Sequence, residues 1–294
     1  MDFLKRYEDM GEIFDPLQVE VKQTIRINTL KINEEDLIKR LKKRKVKLKK
    51  IEYLKNGYTY DADFSLASTP EYLQGYFYIQ DAASQASTEA LNPKPNETIL
   101  DMAASPGGKC SHITQLMNNT GKIIALEENK TRIQSLINNL ERLSVTNTII
   151  FKKDARFADD LKIKFDKILL DAPCGGNFCI EPNYFKTRTK KDLESKARAQ
   201  KELLIAAQKS LKDEGILVYS TCSLEIEENE LIIDWLTKKF TNMKLQEINI
   251  NAGKEGITEF DGKQLNPELK KTKRFWPHKT NTGGFFIAKI KKCK

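Results

Sequence analysis

Apolar positions follow two different rhythms along this chain. Between Gln23 and Ile32 they alternate with polar ones, at Ile25, Ile27 and Thr29 and then at Leu30 and Ile32, as in a half-buried strand. Glu34–Val46 then carries Leu37, Ile38 and Leu41 at helical spacing beneath a mostly basic face. Two shorter strands are expected at Leu48–Leu54 and Gly57–Tyr60, and the aromatic-rich stretch Tyr72–Tyr78 covers the start of the next domain. Residues 1–75 therefore read as a small α+β unit.

Past Pro93 and Pro95 short apolar runs alternate with longer amphipathic ones. Strands are expected at Glu97–Asp101, Lys122–Glu127, Asn147–Lys152, Lys167–Asp171, Gly215–Ser220 and Gly284–Ile290. Between them, helices are expected at Lys109–Asn118, Lys130–Leu143, Leu193–Leu211 and Glu225–Phe240. This alternation predicts an α/β fold with a doubly wound, mostly parallel sheet over residues 76–294. No internal repeat interrupts it.

The chain of 294 residues agrees with this division, at roughly 150 residues per domain. Hydrophobic residues make up 39%, enough for a substantial core, and no apolar run approaches the roughly 18 residues of a membrane span. The opening residues, Met1 to Arg6, lack the basic-then-apolar order of a signal peptide. Five cysteines, an odd number, suit reduced thiols and a cytoplasmic protein without a membrane partner. No CxxC pair occurs and the two histidines lie far apart, so no metal is expected; the HxE and PCxxC signatures of zinc nucleobase deaminases are missing too.

Charge narrows the partner. Fifty Lys and Arg against 41 Asp and Glu leave +9, which favours a polyanion. From Lys39 to Lys50 nine of twelve positions are basic, and no acid follows Glu268. A solvated helix face and tail would carry the same residues, so charge alone only tilts the reading towards nucleic acid.

The chemistry gathers at predicted strand ends, where doubly wound sheets bind ligands. The first ends at Asp101 and runs into Met102, Ala103, Ala104, Ser105, Pro106, Gly107, Gly108 and Lys109. Two glycines there let a backbone turn approach a ligand closely. A P-loop would need glycine where Ala103 stands and Ser or Thr where Cys110 stands, and GxGxxG is missing, which disfavours a nucleoside triphosphate or a dinucleotide. Glu127 ends the next strand, about 20 residues on, where such folds place an acid for the ribose hydroxyls. Asp154 follows the third strand, placed to accept from an adenine amine, and Asp171 ends the fourth. Each acid alone suits a solvated strand end. Three of them after successive strands, with the glycine loop, point to an adenosine cofactor without phosphates, S-adenosyl-L-methionine being the common one.

Asp171–Ala172–Pro173–Cys174 follows the fourth strand and Ser220–Thr221–Cys222–Ser223 the fifth, so two thiols should meet at the cofactor edge. Cys110 and Cys293 read as small core residues. A thiolate is suited to a conjugated pyrimidine: addition at C6 makes C5 enamine-like and able to accept a methyl group, after which a second group must remove the C5 proton.

These motifs resemble the Sun-type (Nol/Nop/Sun) RNA cytosine-C5 methyltransferases over nearly the whole chain, most strongly from Tyr78 to Ile290. The similarity lies in Ala103–Lys109, Asp171–Cys174, Ser220–Ser223, Trp276–Pro277–His278 and Thr282–Phe286. It implies a Rossmann-like methyltransferase fold, Cys222 as nucleophile, Cys174 assisting release of the adduct, and Asp171 hydrogen-bonding the base near N3. It further implies Lys109 beside the reacting base, Arg132 near the cofactor, and RNA as substrate with no obligate protein partner; the compact chain leans towards tRNA, with rRNA the alternative. Ala103 and Ser105 depart from the Cys and Ala frequent in the family's loop, Gly175 stands where Ser is usual, and the segment Gly176 to Pro182 adds Cys179. A DNA cytosine methyltransferase would use a Pro-Cys after the fourth strand, as at Pro173–Cys174, but Thr221–Cys222 and the basic N-terminal unit argue against it. A silent RNA-binding scaffold on the same fold would not require the loop, three acids and both thiols together.

Overall fold

The structure, a computed structural model, describes residues 3–181 and 183–294. Met1, Asp2 and Pro182 lie outside the described residues. Helix α1 (Phe3–Asp9) packs away from the small unit. Its Phe3 ring meets Tyr184 and its Tyr7 ring meets Trp276, and beyond it Phe14 stacks on His278. Phe3, Tyr7 and Phe14 thus sit on the large domain.

Strands β1 (Thr24–Ile27), β2 (Lys47–Lys50), β3 (Gly57–Asp61) and β4 (Phe77–Ile79) form an antiparallel sheet in the order β2–β3–β1–β4. β1 stops five residues short of the expected Ile32, because the Asn28 carbonyl accepts from Lys31 and Ile32 and turns the chain. Likewise β2 gives way to a turn closed by Leu54 N–H on Ile51 C=O. Helix α2 (Glu34–Lys43) begins at Asn33, whose side chain caps Asp36 N–H, with acids in its first turn and bases in its last, matching its dipole. Leu37 and Leu41 join Ile25, Ile27, Val46 and Phe77 in a small core. β4 pairs with β1, so this sheet crosses the 75/76 boundary and runs to Ile79. Short helix α3 (Pro70–Leu73) leads into it.

The large sheet has five parallel strands: β5 (Thr98–Asp101), β6 (Lys122–Glu127), β7 (Thr148–Lys152), β8 (Phe165–Asp171) and β9 (Leu211–Thr221). Their order is β9–β8–β5–β6–β7, so the winding reverses between β5 and β8. Strand β10 (Met243–Gln246), β11 (Lys254–Glu255), the small hairpin β12 (Glu259–Phe260) and β13 (Lys263–Gln264), and β14 (Lys273–Phe275) precede β15 (Phe285–Lys292). β15 lies antiparallel to β9 and carries β10 and β14 beside it, with β11 outside β14.

The pleat sorts side chains to two faces. Ile99, Ile123, Ala125 and Leu169 point to helices α4 (Ala82–Leu91), α5 (Gly108–Leu116) and α6 (Lys130–Arg142). Leu100, Ile124, Leu126, Ile168 and Leu170 point the other way, to α8 (Lys190–Ser210) and α9 (Glu230–Lys239); short α7 (Tyr184–Thr187) precedes α8. Apolar runs such as Ile123–Leu126 suit strands covered on both sides.

Two helical features escape the sequence pattern. α4 is built mostly of Ala, Ser and Thr, with one Gln, one Glu and one Leu and with eight of its ten residues buried, so small side chains rather than an apolar stripe let it pack closely. Expected as one helix, Glu225–Phe240 is broken at Asn229, with a 3-10 turn at Ile226–Glu228 before α9. Among the described residues no helix is long and apolar enough to cross a membrane, and no cluster of three His, Cys, Asp or Glu could hold a metal.

Candidate active site

At the end of β5, Asp101 is buried; one oxygen accepts from Ala103 N–H at 3.3 Å and the other has no partner among the described residues. Burial above all, with the nearby Asp171 charge adding to it, pushes its pKa up to about 7. The loop then folds against β6, with Ala104 N–H on Leu126 C=O. Arg132 holds it from α6, donating to Ser105 C=O at 2.9 Å while its own carbonyl accepts from Ser105 Oγ at 2.8 Å.

The glycines also answer to the fold itself. Gly107 adopts φ +105° to start α5, and a Cβ there would lie 3.2 Å from Leu136. A Cβ on Gly108 would lie 2.8 Å from the Tyr78 ring. Turn geometry at Gly107 and packing at Gly108 each require the missing Cβ, and Gly108 also lines the smaller cavity beside the loop.

Two cavities flank this loop. The larger, about 300 Å³, is lined by Met102, Ala103, Glu127, Arg132, Asp154 and Pro173 among others, at the carboxyl ends of β5–β8. That is at the lower end of small-molecule sites. Glu127 is buried on its wall, with one oxygen accepting from Asn129 N–H at 2.9 Å and the other 3.5 Å from Arg132. Asp154 is gripped by Arg156 at 2.6 Å, which holds its carboxyl below the usual range. The smaller, about 150 Å³, is lined by Tyr78, Gln80, Ser84, Ala103, Ala104, Ser105, Pro106, Gly108, Lys109 and Asp171. Ala103 borders both cavities, and Gly107 lines neither. An acid positioned for a ribose, an adjacent apolar wall and a buried carboxylate with a spare oxygen fit an adenosine-bearing sulfonium donor; Ala103, Glu127, Arg132 and Asp154 would hold it.

The thiols meet where the sequence places them. Asp171 and Ser220 are register partners on β8 and β9, and the turns beyond bring Cys174 Sγ to 2.8 Å from Cys222 Sγ, longer than the ~2.05 Å of a disulfide. Both are free, half-buried cysteines. The bond to Cys222, together with burial, raises the Cys174 thiol well above its ordinary pKa. Lys109 Nζ pairs with Asp171 at 2.7 Å and lies 5.3 Å from the Phe285 ring centroid, while Ser220 Oγ donates to the other Asp171 oxygen at 2.7 Å. Cys110 is a core residue in α5, as expected; Cys293 is only half-buried.

Several residues that build the site carry no motif. Asn177 donates to Cys222 C=O at 2.6 Å and to Gly284 C=O at 3.2 Å, tying both turns to the start of β15. Arg26 reaches from β1 beneath the cofactor loop, donating to Gly108 C=O at 2.6 Å and Ser111 Oγ at 2.8 Å; burial lowers its pKa to about 9. A lone arginine in a strand gives no signal of this. The acids of 225–230 could have been found as an odd acidic run for a helix whose neighbours are buried: Glu225 accepts from Tyr7 and Glu230 pairs with Arg274.

Comparison with known proteins agrees with this geometry. Residues 88–291 match the family model described as 16S rRNA methyltransferase RsmB/F, and residues 2–82 match the N-terminal domain of 16S rRNA methyltransferase RsmF. A mouse 28S rRNA (cytosine-C(5))-methyltransferase is 43% identical over 97% of this chain, which spans 37% of that protein's length. The Pyrococcus abyssi tRNA (cytosine(49)-C(5))-methyltransferase is 37% identical over 98% of this chain and 93% of its own length. The crystal structure of NSun6 from Pyrococcus horikoshii with SFG, an S-adenosylmethionine analogue, superposes with a TM-score of 0.87 at 33% identity, covering 100% of this chain and 96% of that one. With its fold, its paired thiols and a family match over most of its length, the chain belongs to the RsmB/F methyltransferase family.

Proposed function

We propose that the chain transfers a methyl group from S-adenosylmethionine to C5 of a cytosine in RNA, and that the RNA is tRNA. The observation that carries this reading is the pair of thiols at 2.8 Å beside the Lys109–Asp171 ion pair, at the switch point of the sheet. S-adenosylmethionine supplies an electrophilic methyl group when bound. The chain supplies the rest.

Cys222 adds to C6 of the base, forming the S–C6 bond and moving the ring electrons towards N3. Asp171, oriented by Ser220 and Lys109, hydrogen-bonds the base near N3 by accepting from its exocyclic amine, and the Lys109 ammonium paired with it stabilises the charge that develops. C5 is then nucleophilic and takes the methyl group. Loss of the C5 proton to a base restores the C5–C6 double bond and expels Cys222, a step that Cys174 assists. The base must be presented unstacked, at a cost of roughly a few kcal/mol, and the small cavity beside Tyr78, Gln80 and Lys109 is where we place it.

The tRNA assignment draws support from two relatives named for tRNA: the Pyrococcus abyssi protein, 37% identical over 98% of this chain, and a Pyrococcus horikoshii tRNA (cytosine(72)-C(5))-methyltransferase, 44% identical over 78% of it. The exposed bases of residues 39–49 would orient the RNA. Free thiols at the site suit the reducing cytoplasm. The test is incubation with labelled S-adenosylmethionine and separate pools of unmodified tRNA and rRNA, followed by nucleoside chromatography. Label in 5-methylcytidine from tRNA is expected; label from rRNA alone overturns the substrate, and no label from either overturns the activity.

A further inference from the structure

We propose that Glu228 is a positioning residue that sets the spacing of the two active-site thiols. Its effect on rate rests on the methyl-transfer reading above; its geometry does not. The Glu228 side chain is fully buried, yet its carboxylate is bonded to residues adjacent to both cysteines. Gly175, next after Cys174, donates its N–H to Oε2 at 2.9 Å and to Oε1 at 3.1 Å. Ser223, next after Cys222, donates its hydroxyl to Oε1 at 2.9 Å. One rigid group thus joins the backbone just after Cys174 to the side chain just after Cys222, on top of the tie that Asn177 makes to Cys222 C=O.

The clamp is itself held. Gln200 of α8 donates to Glu228 Oε2 at 2.8 Å and to Pro173 C=O at 3.1 Å, so Cys174 is bracketed on both sides. Tyr219 of β9 donates its hydroxyl to Glu228 C=O at 2.6 Å. All three partners of the carboxylate are donors, which suits its ionised form, an acceptor at both oxygens. Burying that charge on neutral donors is costly, and apolar residues would fill the space without such a cost; what they could not do is join Gly175 to Ser223. The fit also accounts for Gly175, the position where serine is usual in the family: a Cβ there would stand 2.6 Å from Glu228 Oε1. The Glu228 charge further disfavours a thiolate at Cys174, after the larger effects of the Cys222 bond and burial.

The test separates spacing from chemistry. Phenylarsine oxide condenses with two thiols, forming two As–S bonds and releasing one water, and does so stably only where the sulfurs lie close together. The full chain is expected to bind one arsenic resistant to excess monothiol, with Cys174→Ala as the control that loses it. Glu228→Gln should lose that stable capture and lower kcat for RNA methylation about 10²-fold, with KM for RNA and for S-adenosylmethionine unchanged within about twofold. Gly175→Ala, which displaces the carboxylate without removing it, should do the same and decides the matter if Glu228→Gln does not fold by circular dichroism. Capture and kcat at the parent level in the folded variant would overturn the proposal, as would failure of the parent chain to capture arsenic. Normal capture by a parent chain that makes no 5-methylcytidine would instead overturn the methyl-transfer reading, and the capture series alone would then judge Glu228.

Discussion

Ser220 donates its hydroxyl to Asp171 at 2.7 Å across two neighbouring parallel strands, and each residue is followed by a turn that ends in a cysteine. Because the strands are in register at this pair, the sulfur atoms of Cys174 and Cys222 arrive at the same height above the sheet. Lys109 comes from the opposite side, off α5, and takes the other Asp171 oxygen. A carboxylate so held has one orientation, which lets it fix the base while the Lys109 ammonium beside it stabilises the charge that develops there.

The two thiols are chemically distinguishable. Cys222→Ala should abolish the covalent protein–RNA complex, whereas Cys174→Ala should let it accumulate, as read on denaturing gels with unmodified tRNA. The reverse pattern would make Cys174 the nucleophile.

Glu127 is buried on the wall of the larger cavity with its oxygens held by Asn129 and Arg132. Glu127→Ala removes a charge-assisted hydrogen bond of about 1.5–3 kcal/mol. S-adenosylmethionine affinity by calorimetry should fall roughly ten- to hundredfold, with RNA affinity unchanged. An unaltered affinity would move the ribose elsewhere.

Asp101 makes stability depend on pH. Its pKa is about 7 in the fold against an ordinary 3.8. Between those values the unfolded chain holds fewer protons at this site than the folded one, so this residue's contribution falls as pH rises through that window. The Tm advantage of Asp101→Asn over the parent should therefore widen from pH 4 to pH 7 and level off above pH 8, by calorimetric scanning. A gap that is flat over that range would refute the assignment.

Deleting the small domain would not be a clean test of RNA binding, since α1 packs on the large domain and Arg26 supports the cofactor loop. Changing exposed Lys39, Lys43 and Lys49 to alanine is cleaner. RNA affinity should drop, and the salt dependence of log K should flatten by about 0.7–0.9 for each phosphate no longer neutralised, while S-adenosylmethionine affinity stays constant.

Arg26→Met would strip Gly108 C=O, Ser111 Oγ and Gln80 Oε1 of a buried charged donor. Hydrogen bonds to charged groups contribute about 1.5–3 kcal/mol each. Urea unfolding should show a drop in stability of at least about 2 kcal/mol, a larger effect than any single surface lysine would produce.

Local pattern was enough for the strands β5–β9, the acids at their ends and both cysteine motifs, because a buried parallel strand must be a continuous apolar run and its ligand-facing end must turn polar. It was enough, too, to expect the thiols together, since β8 and β9 are consecutive and adjacent. It did not reach α4, whose closeness to the sheet is achieved by small residues that leave no periodic stripe. Nor did it reach the break at Asn229, the place of α1, or the packing of Gly107 and Gly108 against Leu136 and Tyr78. Arg26, Asn177 and Glu228 share one property: each acts on partners dozens of residues away, through hydrogen bonds that exist only when separate elements have packed. Sequence by itself determined which reactive side chains stand at which strand ends. Tertiary structure alone decided how those groups are held, because a buried polar side chain is defined by the distant donor or acceptor that satisfies it.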